Sequence, residues 1–164
     1  MIESSVVVRA AAPDEVPACI DLWAAAVAAR DEIPEHPATR ARAQEKFAAP
    51  RVACLVAAGP DGVVDGFALV TAPGTGRPTD PVDAAYLSLL AVRPGLEARG
   101  VGRALLTGAQ DAARAEGHPA VALHVLADND RAVRLYEAGG FVPTGEEFPH
   151  VITGVATRTY VARP

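Results

Sequence analysis

The residues best suited to chemistry lie in one stretch, Leu87-Ser-Leu-Leu-Ala-Val-Arg-Pro-Gly-Leu-Glu-Ala-Arg-Gly-Val-Gly-Arg-Ala-Leu-Leu106. An apolar strand runs into Arg93-Pro94-Gly95, then into a turn carrying Gly100 and Gly102, then into a helix. That order aims free backbone N–H groups and the positive end of the helix dipole at one point, and such a point binds phosphate. Gly100 and Gly102 lack side chains, so a pyrophosphate can approach the main chain closely. Arg99 and Arg103 add charge beside it. Two nucleotide readings fail on the residues. A Walker loop needs GxxxxGK[ST], and the only lysine, Lys46, lies elsewhere. A Rossmann fingerprint needs GxGxxG, and counted from Gly100 the third glycine position holds Leu105.

A second segment sharpens the first. Residues 121–142 read as strand, turn, helix, glycine cap and strand, with Asn129, Ala132, Tyr136 and Gly139-Gly140-Phe141 at fixed offsets. Together the two segments resemble the GNAT superfamily of N-acetyltransferases. Glu97-Ala-Arg-Gly-Val-Gly102 lies on that family's Q/R-x-x-G-x-G/A pyrophosphate loop. Asn129-x-x-Ala132-x-x-x-Tyr136, followed by Gly140-Phe141, matches its Asn…Ala…Tyr…Gly-Phe stretch, and Arg9 to Ala18 resembles its first strand and helix.

The resemblance implies acetyl-CoA as acyl donor and direct attack of a primary amine, of a small molecule or a peptide, on the thioester. Backbone amides of Arg99, Gly100, Val101, Gly102, Arg103 and Ala104 would hold the pyrophosphate. Leu90, Ala91 and Val92 lie on the strand whose backbone pairs with the pantetheine arm like an added strand. That strand and residues 121–126 would splay apart to admit the thioester, with a backbone N–H near Val92 polarising its carbonyl. Asn129 and Ala132 would contact the cofactor arm. Tyr136 would lie near the sulfur and protonate the departing thiolate. A homodimer is a habit of the same family. Two residues depart from the family pattern. Glu97 stands where Gln or Arg is usual, which weakens the cofactor site unless backbone contacts dominate. Tyr86 stands in the strand region where some relatives place a glutamate base. No base is therefore assigned; Glu32, Glu35, His36, Asp83, Glu146, His150 and His124 are the available groups. A non-catalytic acyl-CoA-binding or sensor domain on the same fold is the rival reading, because a fold does not establish an activity.

The elements that must position these residues follow from the pattern. Val6–Arg9 predicts a first strand. A helix begins near Pro13, with acids in its first turn and Val16, Ile20, Trp23 and Val27 on one apolar face. Prolines 34 and 37 separate it from a second helix over 38–50. Residues 52–58 and 63–71 read as a hairpin around Gly59-Pro60-Asp61-Gly62. Residues 72–82, rich in Pro and Gly, predict a mobile rim. Strands over 84–92, 121–126, 141–145 and 155–162 alternate with helices over 100–116 and 129–138. This order predicts an α/β (α+β) fold in one domain, residues 1–164, with helices on both faces of a mixed sheet. The resemblance makes that sheet mostly antiparallel, six to seven strands with about four helices.

Composition sets the remaining bounds. The chain has 164 residues, half of them apolar, 21% charged, with net charge -5. That length and apolar share support a packed core and argue against disorder. The acidic balance argues against nucleic-acid partners. No stretch is apolar for long enough to span a membrane, and no basic segment precedes an apolar run at the start, which predicts a cytoplasmic protein. Cys19 and Cys54 lack any metal-ligand spacing, so no metal site is expected and both read as reduced thiols. One lysine beside abundant alanine has the look of a GC-rich bacterial genome. Asp31, Glu32, Glu35, Glu146 and Glu147 fall in the regions expected to rim the acceptor side, which predicts a cationic amine by simple attraction.

Overall fold

A computed structural model describes residues 6–163. Strands β1 (Val8–Ala10), β2 (Arg51–Ala58), β3 (Val64–Thr71), β4 (Ala84–Val92), β5 (Ala120–Leu126), β6 (Val142–Pro149) and β7 (Ala156–Ala162) form one sheet in the order β1-β2-β3-β4-β5-β7-β6. Every pairing is antiparallel except β4 with β5. That parallel pair needs a crossover, and α3 (Val101–Ala115) supplies it. Helices α1 (Val16–Asp31) and α2 (Pro37–Ala48) cover one face; α3 covers the other, joined by α4 (Asp130–Ala138). The expected mixed, mostly antiparallel sheet with helices on both faces is the observed architecture. No helix among the described residues is long and apolar enough to cross a membrane.

Two main cores result, one on each face, beside a small cluster of Ala84, Ala120, Ala122 and Val161. Leu105 and Leu106 of α3 pack with Val70, Ala85, Leu87, Leu123 and Phe141; Cys19, Leu22 and Phe47 of α1 and α2 pack with Phe67, Leu69 and Leu89. Leu105 and Leu106 are almost wholly buried, and burying a leucine stabilises by roughly 1.5–3 kcal/mol. Helix α1 starts through a short 3-10 turn at Pro13–Glu15. Ala12 brings no capping oxygen there; Glu15 compensates by reaching back to accept from the Ala12 amide at 2.8 Å.

Four expectations change. The first strand is Val8–Ala10, later than Val6–Arg9. The buried stripe of α1 centres on Cys19, Ile20, Leu22 and Ala24, with Trp23 and Val27 only half-buried at its edge. Strand β6 runs on to Pro149, so Glu146 and Glu147 are strand residues and the rim there shrinks to the turn from His150 to Val155. The 72–82 segment is pinned and not a loose rim. Thr71 and Thr75 share a 2.6 Å hydroxyl bond, Asp80 accepts from the Arg77 amide at 2.9 Å, and the Asp80 amide donates to Arg77 O at 3.0 Å.

Strand β4 carries the feature that shapes the site. Leu69 pairs with Leu89 and Val70 with Leu87, so Ser88 is an extra residue in the ladder. A bulge of this kind reverses the alternation of faces. Leu87 therefore packs under α3 while Leu89, two residues on, packs under α1 and α2. Lys46 from α2 holds the bulge by donating to Ser88 O at 3.1 Å.

Candidate active site

The β4–β5 ladder stops early. Ala84, Ala85 and Tyr86 pair with Ala120, Val121 and Ala122, and there the pairing ends. Strand β5 continues against β7 as far as Leu126, while β4 stays with β3 as far as Val92. The two strands thus open into a V, and on the β5 side the β4 edge from Leu87 to Val92 has no partner strand among the described residues. A cleft of about 1220 Å³ runs through this opening.

One end of the cleft is the phosphate-type turn. After Val92, the Arg93 amide donates to Asp65 O at 2.7 Å, and Gly95 turns the chain at φ 95°. A 3-10 turn at Glu97–Arg99 and left-handed Gly100, φ 78°, lead into α3. Two of the six amides expected at the pyrophosphate are already engaged: Arg99 donates to Leu96 O at 3.2 Å and Ala104 to Gly100 O at 3.1 Å. Those of Gly100, Val101, Gly102 and Arg103 take no backbone carbonyl among the described residues. They are the orphan donors of a helix start, at its positive end. Gly100, Gly102 and Arg103 line the cleft, whereas the Arg99 side chain lies outside it and Val101 is in the core. Glu97, the departure from the family pattern, accepts from the Gly95 amide at 2.8 Å and lies 3.7 Å from Arg131. Its charge is used inside the turn.

Along the arms of the V, Leu90, Ala91, Val92, Asn129, Ala132 and Tyr136 all line the cleft. The Asn129 side chain caps α4 by accepting from the Ala132 amide at 3.3 Å, leaving its NH2 group as donor. Tyr136 is buried and packs edge-on to Phe141, with ring centroids 5.9 Å apart. Its hydroxyl has no protein partner among the described residues, and burial pushes its pKa up to about 12.

The other end of the cleft lies under α1, α2 and the 72–82 loop. Asp80 Oδ1 sits 3.0 Å from His124 Nε2, His124 Nδ1 sits 3.1 Å from the Tyr86 hydroxyl, and Lys46 Nζ sits 3.2 Å from that same hydroxyl. Burial, aided by the charge of Arg42, pulls the Lys46 pKa down to about 8. Burial pushes the Tyr86 phenol up. Burial alone would raise Asp80, yet hydrogen bonds from His124 and the Arg77 amide hold it below the usual carboxylate range. His150 also lines the cleft; its Nδ1 accepts from the Ile152 and Thr153 amides, and burial with Arg42, Arg30 and Lys46 nearby lowers its pKa. His36 uses its Nδ1 to cap α2 at the Ala38 amide, 3.0 Å away.

The surface acids do not converge here. Asp83 pairs with Arg163 at 2.8 Å, Glu35 with Arg40 at 3.6 Å and Glu147 with Arg158 at 3.1 Å; neither these three nor Glu32 and Glu146 line the cleft. Asp31 does, but Arg30 holds it at 2.9 Å. Arg42, Lys46 and Arg77 face the same space without an ion pair among the described residues, Arg77 lying 3.6 Å over the Phe148 ring. Glu45 is the one acid there without an ion pair among the described residues, so cations outnumber acids at this end, the reverse of the expectation from sequence. Asp80, Lys46 and Arg77 were missed because nothing in their local sequence marks them; the fold brings them in from separate segments.

Comparison with known proteins bears on the same residues. The model of the acetyltransferase (GNAT) family matches residues 20–141. Mycothiol acetyltransferase of Beutenbergia cavernae is 49% identical over 55 residues, 34% of this chain and 18% of that protein, so the match spans under a fifth of that relative. A GCN5-related N-acetyltransferase from Kribbella flavida superposes with a TM-score of 0.73 at 28% identity, covering 97% of this chain and 98% of that one. A Salmonella typhimurium structure that contains its cofactor acetyl-CoA gives 0.70 at 22% identity, covering 98% and 94%.

Proposed function

Because the chain belongs to the GNAT acetyltransferase family, we propose that it transfers the acetyl group of acetyl-CoA to a primary amine by direct attack on the thioester. The observation that carries this is the V between β4 and β5, with the free amides at the start of α3 at its mouth. The amides of Gly100 to Arg103 bind the pyrophosphate. The open β4 edge from Leu90 to Val92 takes the pantetheine as an extra strand. The thioester then lies in the fork near Tyr136, whose retained proton goes to the leaving sulfur.

The acceptor carries an anionic group near its amine. Three cations without an ion pair among the described residues, Arg42, Lys46 and Arg77, face its end of the cleft against one such acid, Glu45, and a buried cation is costly unless a ligand charge compensates it. Amino acids should therefore be better acceptors than the same amines without the carboxylate, by at least about tenfold in kcat/KM. Equal rates, or a preference for the decarboxylated amine, would remove the anion from the reading.

A thermal-shift titration with acetyl-CoA, run beside NAD and ATP, tests the whole. Ligand at 100 times its Kd adds about 2.7 kcal/mol, which raises Tm by roughly 5–11 °C for a domain of this size. A folded protein that ignores millimolar acetyl-CoA sinks the proposal.

A further inference from the structure

We propose that Asp80, His124 and Tyr86 are the proton-accepting chain of the acceptor site, with the Tyr86 hydroxyl as the group that meets the amine. This rests on the acetyltransferase reading. Tyr86 is the last β4 residue paired with β5, opposite Ala122, and His124 is two residues further along β5 on the same face. The chain therefore stands at the apex of the V, where the arms begin to part. Asp80 reaches it from the 72–82 loop and Lys46 from α2, so four separate segments converge on one line of hydrogen bonds.

Lys46 sets one end of that line. A protonated lysine only donates, so the Tyr86 oxygen accepts from it at 3.2 Å, and in the proposed chain the Tyr86 proton points at His124 Nδ1, 3.1 Å away. That nitrogen is then the acceptor tautomer, and Nε2–H donates to Asp80. Both ring nitrogens of His124 are engaged, so an amine cannot reach the imidazole directly. Tyr86 lines the cleft, and its oxygen retains one acceptor position, assigned here to the amine.

An ammonium proton passes to the Tyr86 oxygen as the Tyr86 proton passes to His124 Nδ1, leaving imidazolium against the Asp80 carboxylate. The freed nitrogen lone pair forms the N–C bond to the acetyl carbon. The C–S bond breaks with its electron pair on sulfur, which takes the Tyr136 proton. The second nitrogen proton restores Tyr136, and imidazolium releases its proton to solvent. The charged groups facing the chain are Asp80 from the loop, Lys46 and Arg42 from α2, and Arg77 over Phe148, whose ring meets His124 edge-on at 5.3 Å; Glu45 of α2 and the Arg30–Asp31 pair of α1 line the same cleft. His150 is the titratable neighbour on the turn after β6.

The test uses the full chain, acetyl-CoA and the twenty proteinogenic amino acids as acceptor probes, with kcat/KM of the best followed from about pH 5 to about pH 7.5, below the range in which Lys46 loses its proton. Wild type should show a rising limb. His124→Gln should lose the limb and at least about 100-fold in kcat/KM, and Tyr86→Phe should lose the limb too, while both keep acetyl-CoA affinity by calorimetry. Long-range proton–nitrogen spectra should show Nε2 protonated and Nδ1 bare in wild type. A surviving limb in His124→Gln, loss of the limb only in His150→Gln, or a protonated Nδ1 at neutral pH overturns the chain. Wild type that neither binds acetyl-CoA nor turns over overturns the acetyltransferase reading itself.

Discussion

Tyr136 and Glu97 show how single residues separate a catalyst from a mere acyl-CoA binder. Tyr136 is almost fully buried, its hydroxyl is unpartnered among the described residues, and it holds its proton up to about pH 12. Such a group can donate to a thiolate at any physiological pH, and it contributes little to packing through its oxygen. Tyr136→Phe should therefore cut turnover by roughly 10²–10⁴-fold and leave acetyl-CoA affinity unchanged; steady-state rates and calorimetry on the same preparation check this. Unchanged turnover would remove Tyr136 as the acid, and a wild type that binds acetyl-CoA without turning over would return the site to the sensor reading. Glu97 makes the opposite point. An acid at a pyrophosphate site reads from sequence as a weakness, but here it accepts from the Gly95 amide and neighbours Arg131. Sequence supplies the residue type, whereas the partner, 34 positions away, comes only from folding.

At the scale of elements, the site depends on how closely α3 approaches the sheet. Gly66 on β3 permits that approach: a methyl there would meet Leu105 and Val101 at 2.9 Å and the Ala91 carbonyl at 3.0 Å. The two leucine and valine methyls belong to the first turns of α3, and the carbonyl belongs to β4. Gly66→Ala should thus overpack the joint by about 1–3 kcal/mol, lower Tm by roughly 2–12 °C, and weaken acetyl-CoA binding by displacing the free amides. Calorimetric melting with and without acetyl-CoA checks it; a ligand-induced shift as large as wild type's would separate α3 placement from cofactor binding. This joint also divides what sequence reveals from what it hides. The strand–turn–helix from Leu87 to Leu106 is legible because apolar runs, Gly100 and Gly102 all act locally. The reversal of faces between Leu87 and Leu89 is not, because the Ser88 bulge is held by Lys46, 42 positions earlier. The extension of β6 past Gly145 was hidden likewise: Glu146 and Glu147 read as loop, yet the strand re-pairs with β7 at Phe148 and Pro149 after an irregularity.

Across the whole molecule, charge is distributed against its average. The chain carries -5 overall, yet three cations without ion-pair partners among the described residues face one end of its cleft, against the single unpaired acid Glu45. The acids in the segments expected to rim the site led to a cationic acceptor; the fold turns Asp83, Glu35 and Glu147 outward into surface pairs with Arg163, Arg40 and Arg158. Lys46, the only lysine, is the clearest consequence, because it is drawn into the cleft and its pKa falls from 10.5 to about 8. The unfolded chain therefore holds that proton at pH values where the folded chain has released it. Stability must then rise with pH between about 8 and 10.5, by up to about 3 kcal/mol. Below pH 8 both states are charged, and the fold bears the full cost of burying the cation. Tyr86, Tyr136 and Cys19 are shifted upward and act in the opposite sense as pH rises toward and past their ordinary values, so wild type alone would show only the sum. Subtracting Lys46→Met isolates the lysine: wild type should gain on the variant from pH 8 upward, as read by chemical denaturation at matched pH. A difference that stays flat over that range would mean that Lys46 titrates like a solvated lysine, and that an anion or water reaches it even in the empty cleft.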